Sequence, residues 1–161
     1  PASGWVIHRP ADATAFSYDR HMQDLPPLLV AEDDDDDFFF LRRAVRQASL
    51  DNPLLRFRDG AELIRFLDQI PRAEMGPAER ATWLLLLDIT MPVVNGFEVL
   101  AWLAKRKGLP KVKPIMVSGS YRPDDIQRAT RLGAVDYLVK PITAEMLAAI
   151  AARQLVPTMR S

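Results

Sequence analysis

Cysteine is missing from all 161 residues, which excludes disulfides, thiolate metal sites and a cysteine nucleophile. Histidine is nearly absent. His8 and His21 are the only two, and neither has other ligand-type side chains at metal-binding spacing, so both read as surface residues. No apolar run approaches the roughly 20 residues that a membrane-spanning helix needs. The first residues lack the charged-then-apolar pattern of a secretion signal. An excess of charge of either sign is also missing. The 21 basic and 21 acidic side chains cancel, which argues against a nucleic-acid-binding surface spread over the whole molecule. A cytoplasmic protein with no membrane or nucleic-acid contact is expected.

Apolar side chains are plentiful. At 48% of the chain they suffice for the core of one domain. They are densest at Leu84-Leu85-Leu86-Leu87, which runs into Asp88-Ile89-Thr90-Met91-Pro92. Four successive leucines read as a strand buried on both faces, the mark of a central parallel strand. Pro92 then forbids further regular structure. A carboxylate at the carboxyl end of such a strand lies where open α/β sheets bind ligands. Taken alone, Asp88 could equally cap a loop.

The rest of the chain alternates strand and helix. Residues 1–27 form an arm without periodicity, closed by Pro26-Pro27, although Trp5-Val6-Ile7, Phe16 and Tyr18 could dock on the domain. Leu28–Ala31 is a first strand, leading through Glu32 and five aspartates into a helix from Phe38 to Ala48. Its core face is assigned to Phe40, Leu41, Ala44, Val45 and Ala48, with Phe39 on the polar side beside Arg42, Arg43 and Arg46. Asp35, Asp36 and Asp37 fall at or before its first turn, where negative charge suits the helix dipole. Leu54–Arg58 is a strand nearer the sheet edge, followed by a helix from Ala61 to Ile70 and a long polar connection over 71–81. After the leucine strand come a helix from Asn95-Gly96 to about Arg106, a strand Pro114–Val117, a helix Pro123–Leu132, a strand Val135–Val139 and a helix Ala144–Arg153 capped by Thr143. Five strand–helix repeats predict an α/β fold: a doubly wound five-stranded parallel sheet with right-handed crossovers. The domain spans 28–155, and residues 156–161 are a frayed tail.

Four of these strands end in chemistry: Glu32-Asp33, Asp88, Ser118 and Lys140. Parallel strands present their carboxyl ends at one rim, and strand order 2-1-3-4-5, the flavodoxin-like arrangement, sets Asp33 beside Asp88 at the switch point. Carboxylates about 4 Å apart repel by on the order of 4 kcal/mol per pair at an effective dielectric near 20. Such a cluster either holds a proton or binds a cation, and an all-oxygen set with open positions suits Mg2+. A carboxylate, a metal, a lysine and a hydroxyl together meet the needs of phosphoryl transfer. Ser118 and Lys140 taken singly read as a loop cap and a surface charge, and Asp34 to Asp37 as a solvated, helix-capping patch.

The segments VAEDD, LLLLDITMPVVNG, PIMVSGS and DYLVKP, in this order over residues 28–153, resemble the receiver domain of two-component response regulators. The resemblance implies that Asp88 is the phosphoacceptor, and that Glu32 and Asp33 are the acidic pair, with Asp33 a direct Mg2+ ligand. The main-chain carbonyl of Thr90 would be a further ligand. Ser118 and Lys140 would meet the phosphoryl group, Tyr137 would be the switch aromatic, and Lys140–Pro141 a cis peptide. The long connection is similar to that of stand-alone receivers related to phytochrome-associated regulators. Glu32 in place of the commoner aspartate and Gly119 in place of a small residue such as alanine are departures. The implied donor is a sensor histidine kinase or histidine phosphotransfer protein, and the output a protein partner, with room for a homodimer. No output domain follows residue 153, so a DNA-binding role within this chain is not expected, and the resemblance implies a phosphoacceptor switch with at most self-dephosphorylation rather than an enzyme. Two other readings stay open: a small Mg-dependent aspartyl-phosphate phosphatase, and a receiver-like adaptor that does not switch. A nucleotide-binding flavodoxin-like protein is disfavoured, because the first loop is acidic rather than glycine-rich.

Overall fold

The structure, a computed structural model, describes residues 25–70 and 81–155 together with the backbone of Val6 and Ile7. The expectations for Trp5, His8, Phe16, Tyr18 and His21, for residues 71–80 of the connection and for the tail 156–161 lie outside the described residues. In chain order the strands are β1 (Val6–Ile7), β2 (Leu28–Ala31), β3 (Leu54–Phe57), β4 (Thr82–Asp88), β5 (Lys111–Ser118) and β6 (Asp136–Val139). The helices are α1 (Asp35–Gln47), α2 (Gly60–Asp68), α3 (Gly96–Lys105), α4 (Pro123–Arg131) and α5 (Ala144–Gln154).

All strands are parallel, in the order β1-β3-β2-β4-β5-β6. The five strands of the α/β repeat therefore stand in the expected order 2-1-3-4-5. The arm adds a short sixth strand outside β3, pairing Val6 with Leu54 and Ile7 with Leu55. Two residues are too few to show a period, which is why the sequence offers no strand there.

The leucine run is divided between two cores. Leu85 and Leu87 join Leu29, Leu55, Leu63, Leu67, Val99 and Leu100 under α2 and α3. Leu84 and Leu86 join Leu28, Val30, Leu41, Val45, Leu147 and Ile150 under α1 and α5. Period-two alternation of apolar residues on both faces is what a doubly wound sheet requires.

One helix face differs from expectation. The buried residues of α1 are Phe38, Leu41, Ala44 and Val45, whereas Phe40 is 56% exposed and Phe39 50% exposed. Phe38 and Phe40 both lie at the margin of the stripe defined by Leu41, Ala44 and Val45. The tie goes to Phe38 because its ring meets the Arg56 guanidinium, 4.4 Å from the centroid. The half-exposure of Phe39 is as the sequence suggests.

Candidate functional site

The carboxyl ends of β2, β4, β5 and β6 converge on a single rim. At the end of β2 the Glu32 amide donates to the Phe57 carbonyl at 2.9 Å, which carries the parallel ladder with β3 one residue past the strand. Asp34 then N-caps α1, its carboxylate accepting from the amides of Asp36 and Asp37, both at 2.9 Å. One Glu32 carboxylate oxygen accepts from the Asp34 amide at 3.1 Å. The Glu32 side chain is thus directed inward, and the residue is 2% exposed.

Asp88 closes β4 and is 6% exposed. Its Oδ2 accepts from the Thr90 amide at 2.8 Å. The loop that follows is pinned at both ends. The Ile89 amide donates to Val117 at 3.1 Å, and the Gly96 amide donates to Ile89 at 3.0 Å. Asn95 and Glu98 form a reciprocal capping box that starts α3. In the loop between Ile89 and Gly96, Val93 has φ 66° and is 80% exposed. A β-branched residue in the left-handed region is strained, and asparagine tolerates that region better. Val93→Asn gives up almost no packing, so it is expected to stabilise the protein by about 1 kcal/mol and to raise the thermal midpoint by about 3 °C. A melting curve with an unchanged or lower midpoint contradicts this.

Lys140 follows β6 and is anchored by its amide, which donates to the Ser118 carbonyl at 2.8 Å. The Lys140–Pro141 peptide is cis. Its ammonium is the hub of the site, with Nζ 2.8 Å from Glu32 Oε2, 2.6 Å from Asp37 Oδ2 and 3.0 Å from Asp88 Oδ1. Ser118, 7% exposed, accepts from the Ser120 amide at 3.2 Å. The Tyr137 hydroxyl donates to the Ser120 carbonyl at 3.0 Å, so the loop after β5 connects Ser118 to the aromatic ring.

Carboxylate oxygens of Glu32, Asp33 and Asp88 all lie within 4.8 Å of one another. Burial pushes the carboxyls of Glu32 and Asp88 above their ordinary range, and contact with Lys140 opposes this without cancelling it. Burial pulls the Lys140 ammonium down, but its contacts with Asp37, Glu32 and Asp88 outweigh that and hold it above the ordinary lysine range. One lysine facing four carboxylates leaves the cluster short of positive charge. Hard oxygen donors, crowded and incompletely neutralised, fit a divalent cation such as Mg2+.

The structure thus gathers Glu32, Asp33, Asp88 and Lys140, with Ser118 on the adjoining strand end, Thr90 in the Asp88 loop and Tyr137 tied to the Ser118 loop. Two participants go unforeseen in the sequence. Asp37 pairs with Lys140 rather than standing in solvent. The signal for it is present, since Asp37 lies four residues before Leu41 and so on the inward stripe of α1. Arg56 is 8% exposed in an otherwise apolar β3 and binds the backbone of the acidic loop. A lone arginine in a buried strand is a cue, but nothing in the sequence tells which carbonyls it meets. Among the described residues no helix is long and apolar enough to cross a membrane.

Comparison with known proteins bears on this geometry. The family model for the response regulator receiver domain matches residues 28–152. Response regulator Rcp1 of Synechocystis sp. is 29% identical over 100 residues, or 62% of this chain and 66% of that protein. A probable cyclic di-GMP phosphodiesterase of Vibrio cholerae is 38% identical over 64 residues, or 40% of this chain and 14% of that protein. The chain therefore spans less than two thirds of the length of these curated relatives. Among solved structures, the bacteriophytochrome response regulator RtBRR matches with a TM-score of 0.69 and 29% identity, over 85% of this chain and 82% of that one. The Mn2+-bound form of Rcp1 matches with a TM-score of 0.65 and 25% identity, over 84% of this chain and 99% of that one.

Proposed function

This chain belongs to the response regulator receiver family, and from that premise we propose that it is a phosphorylation switch with Asp88 as phosphoacceptor. The observation that carries the reading is the placing of one ammonium and three convergent carboxylates at the end of β4, with Lys140 Nζ 3.0 Å from Asp88 Oδ1. The donor is a sensor histidine kinase or a histidine phosphotransfer protein. A bond forms between an Asp88 carboxylate oxygen and phosphorus as the bond from phosphorus to the donor imidazole nitrogen breaks, and the donor is released as histidine.

Glu32, Asp33, Asp88 and the main-chain carbonyl of Thr90 would hold Mg2+; the similar receiver Rcp1 is known in a Mn2+-bound form, which supports a divalent ion here. When bound, Mg2+ neutralises charge that develops on the phosphoryl oxygens. Lys140 already pairs with Asp88 and keeps contact with the group once it is attached. Ser118 donates its hydroxyl to a phosphoryl oxygen and gives up its bond from the Ser120 amide. Because Tyr137 holds the Ser120 carbonyl, that loop movement is passed to the ring and to the face made by α4, β6 and α5. A protein partner reads this face. Phe39, half exposed on α1, is offered to the donor. The chain acts in the cytoplasm, alone or as a homodimer, with no nucleic acid or membrane bound.

The test is to incubate the protein with a small-molecule phosphoryl donor and Mg2+, reduce the acyl-phosphate with borohydride and map the labelled peptide. The expected label is on Asp88, absent from Asp88→Ala and absent without Mg2+. A label on Asp33 would favour the phosphatase reading, and no label at all would favour the non-switching adaptor.

A further inference from the structure

We propose that Arg56 is a positioning residue for the metal site, setting the backbone from which Asp33 projects. The inference rests on the reading of Glu32, Asp33 and Asp88 as metal ligands and goes beyond it to a side chain on a different strand. Arg56 is buried in β3, yet its guanidinium meets four acceptors in the loop after β2 and at the start of α1. Nε donates to the Glu32 carbonyl at 3.0 Å, and one terminal nitrogen donates to the carbonyls of Asp33 and Asp34 at 3.0 and 3.1 Å. The other terminal nitrogen is 2.5 Å from Asp35 Oδ1. That Asp35 oxygen also meets Arg58 at 2.9 Å, and the Phe38 ring packs against the guanidinium.

The carbonyls of Glu32 and Asp33 belong to the two peptide planes on either side of the Asp33 α-carbon. Fixing both planes to one rigid, planar group fixes the direction in which the Asp33 side chain leaves the main chain. The Glu32 carboxylate, accepting from the Asp34 amide, also holds the second of these planes, but Arg56 spans both, against the mutual repulsion of five adjacent aspartates. Arg56 therefore supplies both geometry and positive charge without touching the ion. A lysine cannot do the same, since its point-like ammonium lacks the fork that spans three carbonyls. Partners of this outer kind typically set metal affinity by tenfold or more.

The test is calorimetric titration of the apo full chain with MgCl2 alone, comparing wild type, Arg56→Lys and Asp33→Asn, with circular dichroism confirming the fold of each. Arg56→Lys is expected to remain folded and to bind Mg2+ about tenfold more weakly, with faster amide exchange over residues 33–36. Asp33→Asn is expected to lose binding. A folded Arg56→Lys with wild-type affinity overturns this proposal and leaves the metal site standing. If Arg56→Lys does not fold, Asp35→Ala carries the test, since it removes the carboxylate that steadies one end of the guanidinium. Weaker Mg2+ binding then supports the proposal, and unchanged affinity overturns it. Wild-type protein that binds no Mg2+, or binding that survives Asp33→Asn, overturns this proposal and the metal-site reading together.

Discussion

Lys140→Met is expected to destabilise the ion-free protein by about 3 kcal/mol at neutral pH. Methionine replaces the aliphatic stem, so packing is nearly conserved and the loss reports the ammonium. The side chains of Glu32 and Asp88 are 3% and 7% exposed, so water cannot take over from the lysine. The pH dependence follows from the direction of the shifts. Both carboxyls sit above their ordinary range in the folded protein, so folding takes up protons there. Their contribution is present in full at acid pH and is lost as pH rises through the elevated values. Removing Lys140 takes away the contact that opposes the elevation, so the loss becomes steeper and extends to higher pH. Denaturant unfolding at a series of pH values checks this. The gap between wild type and variant opens from acid to neutral, and millimolar Mg2+ recovers part of it. A gap independent of pH would mean that Lys140 acts by packing alone.

Gly96→Ala pits two local effects against each other. As the first residue of α3, alanine would be favoured over glycine by up to about 1 kcal/mol. A β-carbon there, however, falls deep inside contact distance of the Asp88 carbonyl oxygen and 3.0 Å from the Met116 methyl. Methionine can move, but the Asp88 backbone is bonded into the centre of the sheet and cannot. The clash decides the sign, and a net loss of about 3 kcal/mol in urea unfolding is expected. Because the displaced atom is the main chain of Asp88, Mg2+ affinity is expected to fall as well. A variant as stable as wild type would show that the start of α3 gives way instead.

Much of the fold and the rim is legible in the residues alone. Leu84–Leu87, the acids after β2, the serine that ends β5 with the glycine after it, and the Lys-Pro after β6 are each local signals, and parallel strand order gathers them at one rim. The side-chain partners are less legible where two choices differ by a fraction of a helical turn. Phe38 rather than Phe40 faces inward because of Arg56, which is distant in sequence. Asp37 is hidden by its neighbours: in a run of five aspartates, composition suggests a solvated patch, and only the stripe through Leu41 singles one of them out. The edge strand at Val6–Ile7 cannot be read at all, since its pairing depends on β3 and not on its own residues.

The leucine run has a corollary for how the chain finds its alignment. Four identical side chains divided evenly between two cores carry no positional information: shift β4 by one place and each layer still receives two leucines. The choice of alignment must therefore come from the two ends of the run. Trp83 at one end is 2% exposed and stacks on Phe66, with ring centroids 6.4 Å apart. Asp88 at the other can lie only at the rim, where a counter-ion is at hand. A one-place slip would turn the indole to the opposite layer and draw a carboxylate into hydrocarbon or out into the loop. The residue proposed to receive the phosphoryl group would thus also serve, during folding, as the marker that tells the strand where to stop.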